Sequence, residues 1–330
     1  MKKVHLVVGA VLVLLLSVIT GCTPEKEKKD QVTIMLDWYP NAVHSFIYTA
    51  LKKGYFTEEG IDLKIQMPAE TNDPIRMAAA NQVDLALTYQ PQVALARGEG
   101  IPVKSIAAVV RHPLNTLLVP TNSPIQSPKD LVGKKVGYPS IPLNQAFMET
   151  MVAKDGGDPT KVNMQDIGFD IVPALAGKRV DAVYGGFTNH EEILFNKQGF
   201  KVRNISFTAY GVPDYYELVI VAGEETIKNK KDVLARFWKA AQKGQEDVKN
   251  NPADSLEILL ENQSQEFPLE KDVEEQSLAV LLPLMMEKDV QFGSQAEENW
   301  NRVINWLKEK KQLTKDVKGK DCFISLKDKN

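Results

Sequence analysis

Residues 32–67 read VTIMLDWYPNAVHSFIYTALKKGYFTEEGIDLKIQM, and their patterning sets the fold class. Val32 to Leu36 is apolar and β-branched, which suits a buried strand. Asn41 to Lys53 is expected to be helical: His44, Ile47, Tyr48 and Leu51 fall at i, i+3, i+4 and i+7, one helical face. Gly54 follows where a C-cap glycine belongs. Ile61, Leu63, Ile65 and Met67 then alternate with polar residues, the period of a second strand. A strand, a crossover helix and a strand in this order make a parallel pair.

The same alternation runs outward from this stretch. The pattern predicts a helix over Asp73 to Ala80, a strand over Leu85 to Leu87, a helix over Gln90 to Arg97 and a strand over Val103 to Val110. It resumes after Pro120, where Ser127 and Pro128 supply a cap and a first helical residue. Strands are expected at Lys135 to Gly137, Val162 to Ile167 and Ala182 to Tyr184, with helices at Ile141 to Lys154 and Asn189 to Lys197. Glu217 to Ala222 is a further apolar strand, and the chain reads as helical from Glu224 onward. There Leu234, Phe237, Trp238 and Ala241 make one apolar stripe, and Trp300, Val303, Ile304 and Leu307 another. Repeated β–α alternation means an α/β protein with mostly parallel sheets. Two such blocks are expected, joined near Val119–Thr121 and again near Glu217–Val221. Lobe 1 is then 31–118 plus 219–330 and lobe 2 is 119–218, with a two-stranded hinge and a ligand cleft between them.

The amino terminus has its own signature. Lys2 and Lys3 precede an apolar run from Leu6 to Ile19, broken only by Gly9 and Ser17. The run is about 14 residues, short of the roughly 20 that a spanning helix needs. Thr20-Gly21-Cys22 follows and, with Ile19, resembles a bacterial lipobox. Residues 1–21 are therefore expected to be a signal peptide, with Cys22 lipidated and the charged stretch 22–30 a tether. That places the protein on the extracytoplasmic face of a cell membrane, anchored by lipid. A lipidated Cys22 leaves the second cysteine, Cys322, with no partner for an intramolecular disulfide.

The chain of 330 residues is comfortable for two domains. Its 43% hydrophobic and 25% charged residues are globular values. A net charge of −3 from 40 basic and 43 acidic residues, well mixed, argues against a nucleic-acid surface. The histidines beyond the signal segment, His44, His112 and His190, are far apart, and no close His/Cys cluster suggests a metal.

Two stretches carry a resemblance. Residues 36–44, LDWYPNAVH, followed by residues 53–61, KGYFTEEGI, resemble the opening of the thiamine-pyrimidine group of periplasmic-type binding proteins. That group shares a domain with fungal enzymes that make the thiamine pyrimidine precursor. Gly185-Gly186-Phe187-Thr188-Asn189-His190-Glu191 is also similar to this group. The resemblance runs from about Val32 to about Gly223. It implies a type II periplasmic-binding-protein fold and the solute-binding part of an ABC importer, acting as a monomer with a permease and its ATPase as partners. Within the group, the similarity is to members that bind N-formyl-4-amino-5-aminomethyl-2-methylpyrimidine, a thiamine breakdown product, for salvage. No cofactor and no catalytic residue are implied.

An aminopyrimidine is a flat ring with an amino donor beside a ring nitrogen. Its site calls for an aromatic face and for carboxylate acceptors. Asp37 and Trp38 follow the first strand, at the end where open α/β sheets bind ligands. Tyr89 follows the strand at Leu85, and Phe187, Asn189 and Glu191 follow a Gly-Gly turn after Tyr184. Asn41, His44, Tyr138 and Ser140 complete the candidates. Gly137 to Ser140 precedes a helix whose free N–H groups suit a formyl oxygen or, lacking a Walker pattern, less well a phosphate. Structural readings stand beside the binding ones. Trp38 reads also as packing between sheet and helix, Asp37 as a helix-start acid, and Asn41 as an N-cap. His44 reads also as a satisfied core histidine, and Glu191 as a first-turn acid favoured by the helix dipole. The aromatic candidates read also as core.

Two other functions compete. The fungal enzymes use pyridoxal phosphate, sacrifice a histidine and carry a cysteine-rich iron motif. His44 falls in the matching histidine region, but no cysteine cluster lies near Gly185–Thr188. A binding protein for a sulfonate, nitrate or aromatic anion would favour backbone N–H groups, Ser and Arg, whereas this cleft is expected to offer Asp37 and Glu191.

Overall fold

The computed structural model describes residues 29–141 and 143–326. The expected signal segment, Cys22 and the expected tether as far as residue 28 lie outside the described residues. Asp30, placed above in the tether, already pairs with Ile61 in the first sheet.

Among the described residues, ten strands form two five-stranded sheets. The first contains β1 (Asp30–Met35), β2 (Ile61–Gln66), β3 (Leu85–Thr88), β4 (Val103–Val110) and, from far along the chain, β10 (Leu218–Gly223), in the order β2-β1-β3-β10-β4. β1 runs parallel to both β2 and β3, while β10 runs antiparallel to β3 and β4. All six residues of β10 are buried, as an unbroken apolar run inside a covered sheet should be. The second sheet contains β5 (Asn115–Pro120), β6 (Lys135–Tyr138), β7 (Asn163–Asp166), β8 (Ala182–Phe187) and β9 (Val202–Ser206), in the order β7-β6-β8-β5-β9.

The first crossing differs from the expected one. Asn115 to Pro120 is a strand of the second sheet, paired with β8 and β9, so the chain leaves the first sheet at residues 111–114. Arg111-His112-Pro113-Leu114 breaks the long apolar run that starts at Val103, and the polypeptide changes sheets at that break. It returns through residues 207–217. Strand β9 and the helix Ile171–Ala176 also lie in segments left unassigned by sequence patterning.

The expected turn at Gly185-Gly186 is instead the continuation of β8 through Phe187. Gly185 has φ +88, and a side chain there would strike the Pro139 ring; one at Gly186 would strike Leu118. The glycines therefore let β8 run on beneath two close neighbours. The first helix starts as a 3₁₀ turn, Ala42–His44, and continues as Ser45–Lys52. Its face buries His44, Ile47 and Tyr48, but Leu51 at the end is 38% exposed. The helices Lys231–Asn250 and Glu297–Glu309 bury both apolar stripes named above. No helix of the described residues is long and apolar enough to cross a membrane.

Candidate ligand-binding site

A cavity lies between the sheets, with about 730 Å3 of atom-free space, mouth included. Both lobes line it. Asp37, Trp38, Asn41 and Tyr89 come from the carboxyl ends of β1 and β3; Phe187, Asn189, His190 and Glu191 come from the end of β8. Seven of the ten candidates read from sequence, Glu191 among them, thus converge on one space.

The other three do not line it. His44 is fully buried, and its ring supports Asp37 from behind. Its Nδ1 accepts from the Asn41 backbone N–H at 3.2 Å, which leaves the proton on Nε2 to donate to Asp37 Oδ1 at 2.9 Å. Tyr89 donates its hydroxyl to Asp37 Oδ2 at 3.0 Å. Burial, then the charge of Asp37, pushes the Tyr89 phenol well above its usual range, so it remains a donor. Each Asp37 oxygen is thereby fixed by one donor, and the carboxylate is held at the cavity wall. Asn41 is both N-cap and wall: its Oδ1 accepts from Val43 N at 3.1 Å. Tyr138 pairs with β7, and the Ser140 hydroxyl turns outward to Asp166, with Ser140 itself at φ +46. Their chain neighbours Pro139 and Ile141 line the cavity in their place.

Glu191 is the first residue of the helix Glu191–Lys197, where a carboxylate suits the helix dipole. Its Oε2 accepts from the Phe187 backbone N–H at 2.8 Å, and its Oε1 meets His190 Nδ1 at 2.9 Å. The other ring nitrogen, His190 Nε2, reaches Glu274 Oε1 at 3.2 Å, and Glu274 Oε2 accepts from Ala42 N at 2.7 Å. Burial pulls the His190 imidazole down, but the Tyr39 phenol, Glu191 and Glu274 outweigh it and hold its pKa well above the ordinary value. A protonated His190 thus ties lobe 2 to the helix Lys271–Met285 of lobe 1.

Further contacts close the two lobes together. Asn189 Nδ2 donates to Ser277 Oγ at 2.9 Å, and Thr71 Oγ1 to the Pro139 carbonyl at 2.8 Å. Trp38 packs edge-on against Phe169 at 4.4 Å between centroids, and so joins the apolar cluster of the opposite lobe. Phe187 meets Tyr89 edge-on at 6.3 Å.

Sequence reading missed Asn115, Asn144 and Glu217, which all line the cavity. Glu217 is fully buried on the return crossing. Its Oε2 accepts from Leu114 N at 2.7 Å, Asn115 N at 2.8 Å and Tyr215 Oη at 3.3 Å. Burial pushes its carboxyl up to about 7 against the opposing pull of those donors. An acid directly before an apolar strand was the available signal. For Asn144, second in the helix Leu143–Lys154, there was none, because a polar residue in a first turn is ordinary.

The comparisons agree with this architecture. The chain is 43% identical, over 94% of both chains, to the formylaminopyrimidine-binding protein of Halalkalibacterium halodurans. It is 24% identical, over 90% of this chain and 92% of the other, to a 4-amino-5-hydroxymethyl-2-methylpyrimidine phosphate synthase of Legionella pneumophila. In fold it resembles the alkanesulfonate-binding protein SsuA of Xanthomonas axonopodis pv. citri, with a TM-score of 0.71 at 14% identity, covering 89% of this chain and 98% of that one. The family described as NMT1/THI5 like matches residues 41–255, from the Asn41 cap through both crossings and into the helical tail. With two five-stranded lobes closed on one polar and aromatic cavity, and with those matches in sequence, the chain belongs to the NMT1/THI5-like family.

Proposed function

We propose that this protein is the extracytoplasmic binding component of an ABC importer and that it captures N-formyl-4-amino-5-aminomethyl-2-methylpyrimidine for thiamine salvage. The observation that carries this reading is the presentation of Asp37 and Glu191, from opposite lobes, in one cavity with Trp38, Tyr89 and Phe187. Carboxylates accept from an exocyclic amino group and from a protonated ring nitrogen, and the rings stack on the flat face. The 43% identical relative, named for formylaminopyrimidine, supports the choice of ligand. A sulfonate fits poorly, since buried carboxylates and an anion repel in a low-dielectric space.

Some relatives are named as synthases of the pyrimidine phosphate. Binding without catalysis is favoured here because His44 stands behind Asp37 with both ring nitrogens engaged, in no position to face a ligand. In this reading the lobes open about the crossings at 111–114 and 207–217, and they close on the ring and exclude water. The closed form then docks on a permease, and ATP hydrolysis drives release. Lipid on Cys22 would keep the protein, a monomer, beside that permease.

Calorimetric titration of the protein without residues 1–22 tests this. The formylated pyrimidine should bind more tightly than 4-amino-5-hydroxymethyl-2-methylpyrimidine, thiamine or taurine. Binding of taurine with none of the pyrimidines would overturn the ligand assignment and leave the fold intact.

A further inference from the structure

Asn144 is 1% exposed and lines the cavity beside Leu114, Ile141, Leu143 and Phe147. Both ends of its carboxamide, Nδ2 and Oδ1, are buried without a hydrogen-bond partner among the described residues. Buried polar groups are nearly always paired, because an unpaired one forfeits its hydration. A leucine would fit these apolar surroundings at no such cost. The position is therefore explained by a ligand that supplies one acceptor and one donor together.

We infer that Asn144 is a specificity-determining contact that pairs, at two points, with an uncharged amide on the ligand's side chain. This rests on the pyrimidine reading above and deepens it. The assignment of ends follows from charge. Asp37 and Glu191 are suited to the amino and protonated edge of the ring. Asn144 is uncharged and gives no counter-charge to a bare ammonium buried against it. A formamide offers an N–H and a C=O, the complement of Asn144, whereas the free aminomethyl compound offers only a cation. Glu217 acts in the same sense. Its three donors all fall on Oε2, so Oε1 is the oxygen left for the cavity. Burial favours the protonated carboxyl, whose O–H can serve a carbonyl.

The test compares three ligands by calorimetry on the protein without residues 1–22. They are the N-formyl aminomethyl pyrimidine, its unformylated amine, and 4-amino-2,5-dimethylpyrimidine, which lacks the polar substituent. Asn144→Leu should weaken the formylated ligand roughly tenfold or more while changing the dimethyl compound by less than about threefold. Asn144→Asp should shift preference toward the amine. Each readout is a ratio of dissociation constants on one preparation, so partial misfolding does not mimic it. Equal weakening of the formylated and dimethyl ligands by Asn144→Leu would place Asn144 on the ring and overturn the inference, as would no weakening of either. Wild-type protein that binds none of the three would instead overturn the pyrimidine reading, and this inference with it.

Discussion

Replacing Glu217 with Gln should change how stability depends on pH. The wild-type carboxyl is fully buried, and its pKa is raised from 4.5 to about 7, first by burial. The folded state therefore keeps a proton that the unfolded chain releases at lower pH. Stability from this group is fully present below about 4.5 and declines as pH rises, until it levels off above about 7. The distance between those values corresponds to roughly 3 kcal/mol. Gln keeps an oxygen for the Leu114, Asn115 and Tyr215 donors and does not titrate in this range. Urea unfolding at steps from pH 4 to 8, followed by tryptophan fluorescence, gives both curves. The wild-type stability minus that of Glu217→Gln should fall by about 3 kcal/mol between pH 4.5 and 7. Other titrating groups, His190 included, cancel in the difference. A flat difference, or one that rises with pH, would refute the argument.

Two more substitutions probe the walls of the cavity. Glu274→Gln removes one of the two carboxylates on His190. The raised His190 pKa means that its bridge is complete below the ordinary imidazole range and is lost as pH climbs through the elevated value. In the variant that loss should begin at lower pH, seen as an earlier alkaline fall in ligand affinity, and parallel affinity profiles would count against the latch. Asp37→Asn puts an amide N–H₂ against either His44 or Tyr89, both donors, and should cost about 1–3 kcal/mol in unfolding free energy, read from the urea midpoint. An unchanged midpoint would mean that these two donors do not hold the Asp37 side chain.

Local elements were largely legible in the sequence because their causes are local. Apolar alternation marked β2, the caps at Asn41 and Ser127 marked helix starts, and strand-end position marked Asp37 and Tyr89. What escaped depends on residues distant in the chain. Asn115 to Leu118 reads as the end of lobe 1 until β8 and β9 are there to flank it. His44 sits on the apolar helix face as expected, but only the three-dimensional positions of Asp37 and Asn41 reveal that it is a support behind the wall. Tyr138 ends β6 and Ser140 follows it beside the cavity, yet Tyr138 pairs with β7 and Ser140, at positive φ, gives its hydroxyl to Asp166. Asn144 became visible as a candidate only once both ends of its amide were found unpaired.

The interleaving of the sheets bears on the order in which the chain can assemble. Every strand of the second sheet lies between residues 115 and 206, an unbroken stretch. The first sheet needs β10, at residues 218–223, to join β4 to β3. As the polypeptide emerges from its amino terminus, residues 30–110 are exposed early but have no middle strand to close around. The later-made lobe can complete its pairing first, and the first-made lobe waits for a piece of chain that arrives last. Until that piece arrives, β3 and β4 each present to solvent the edge that β10 will cover, and that is the interval in which a chaperone has most to protect.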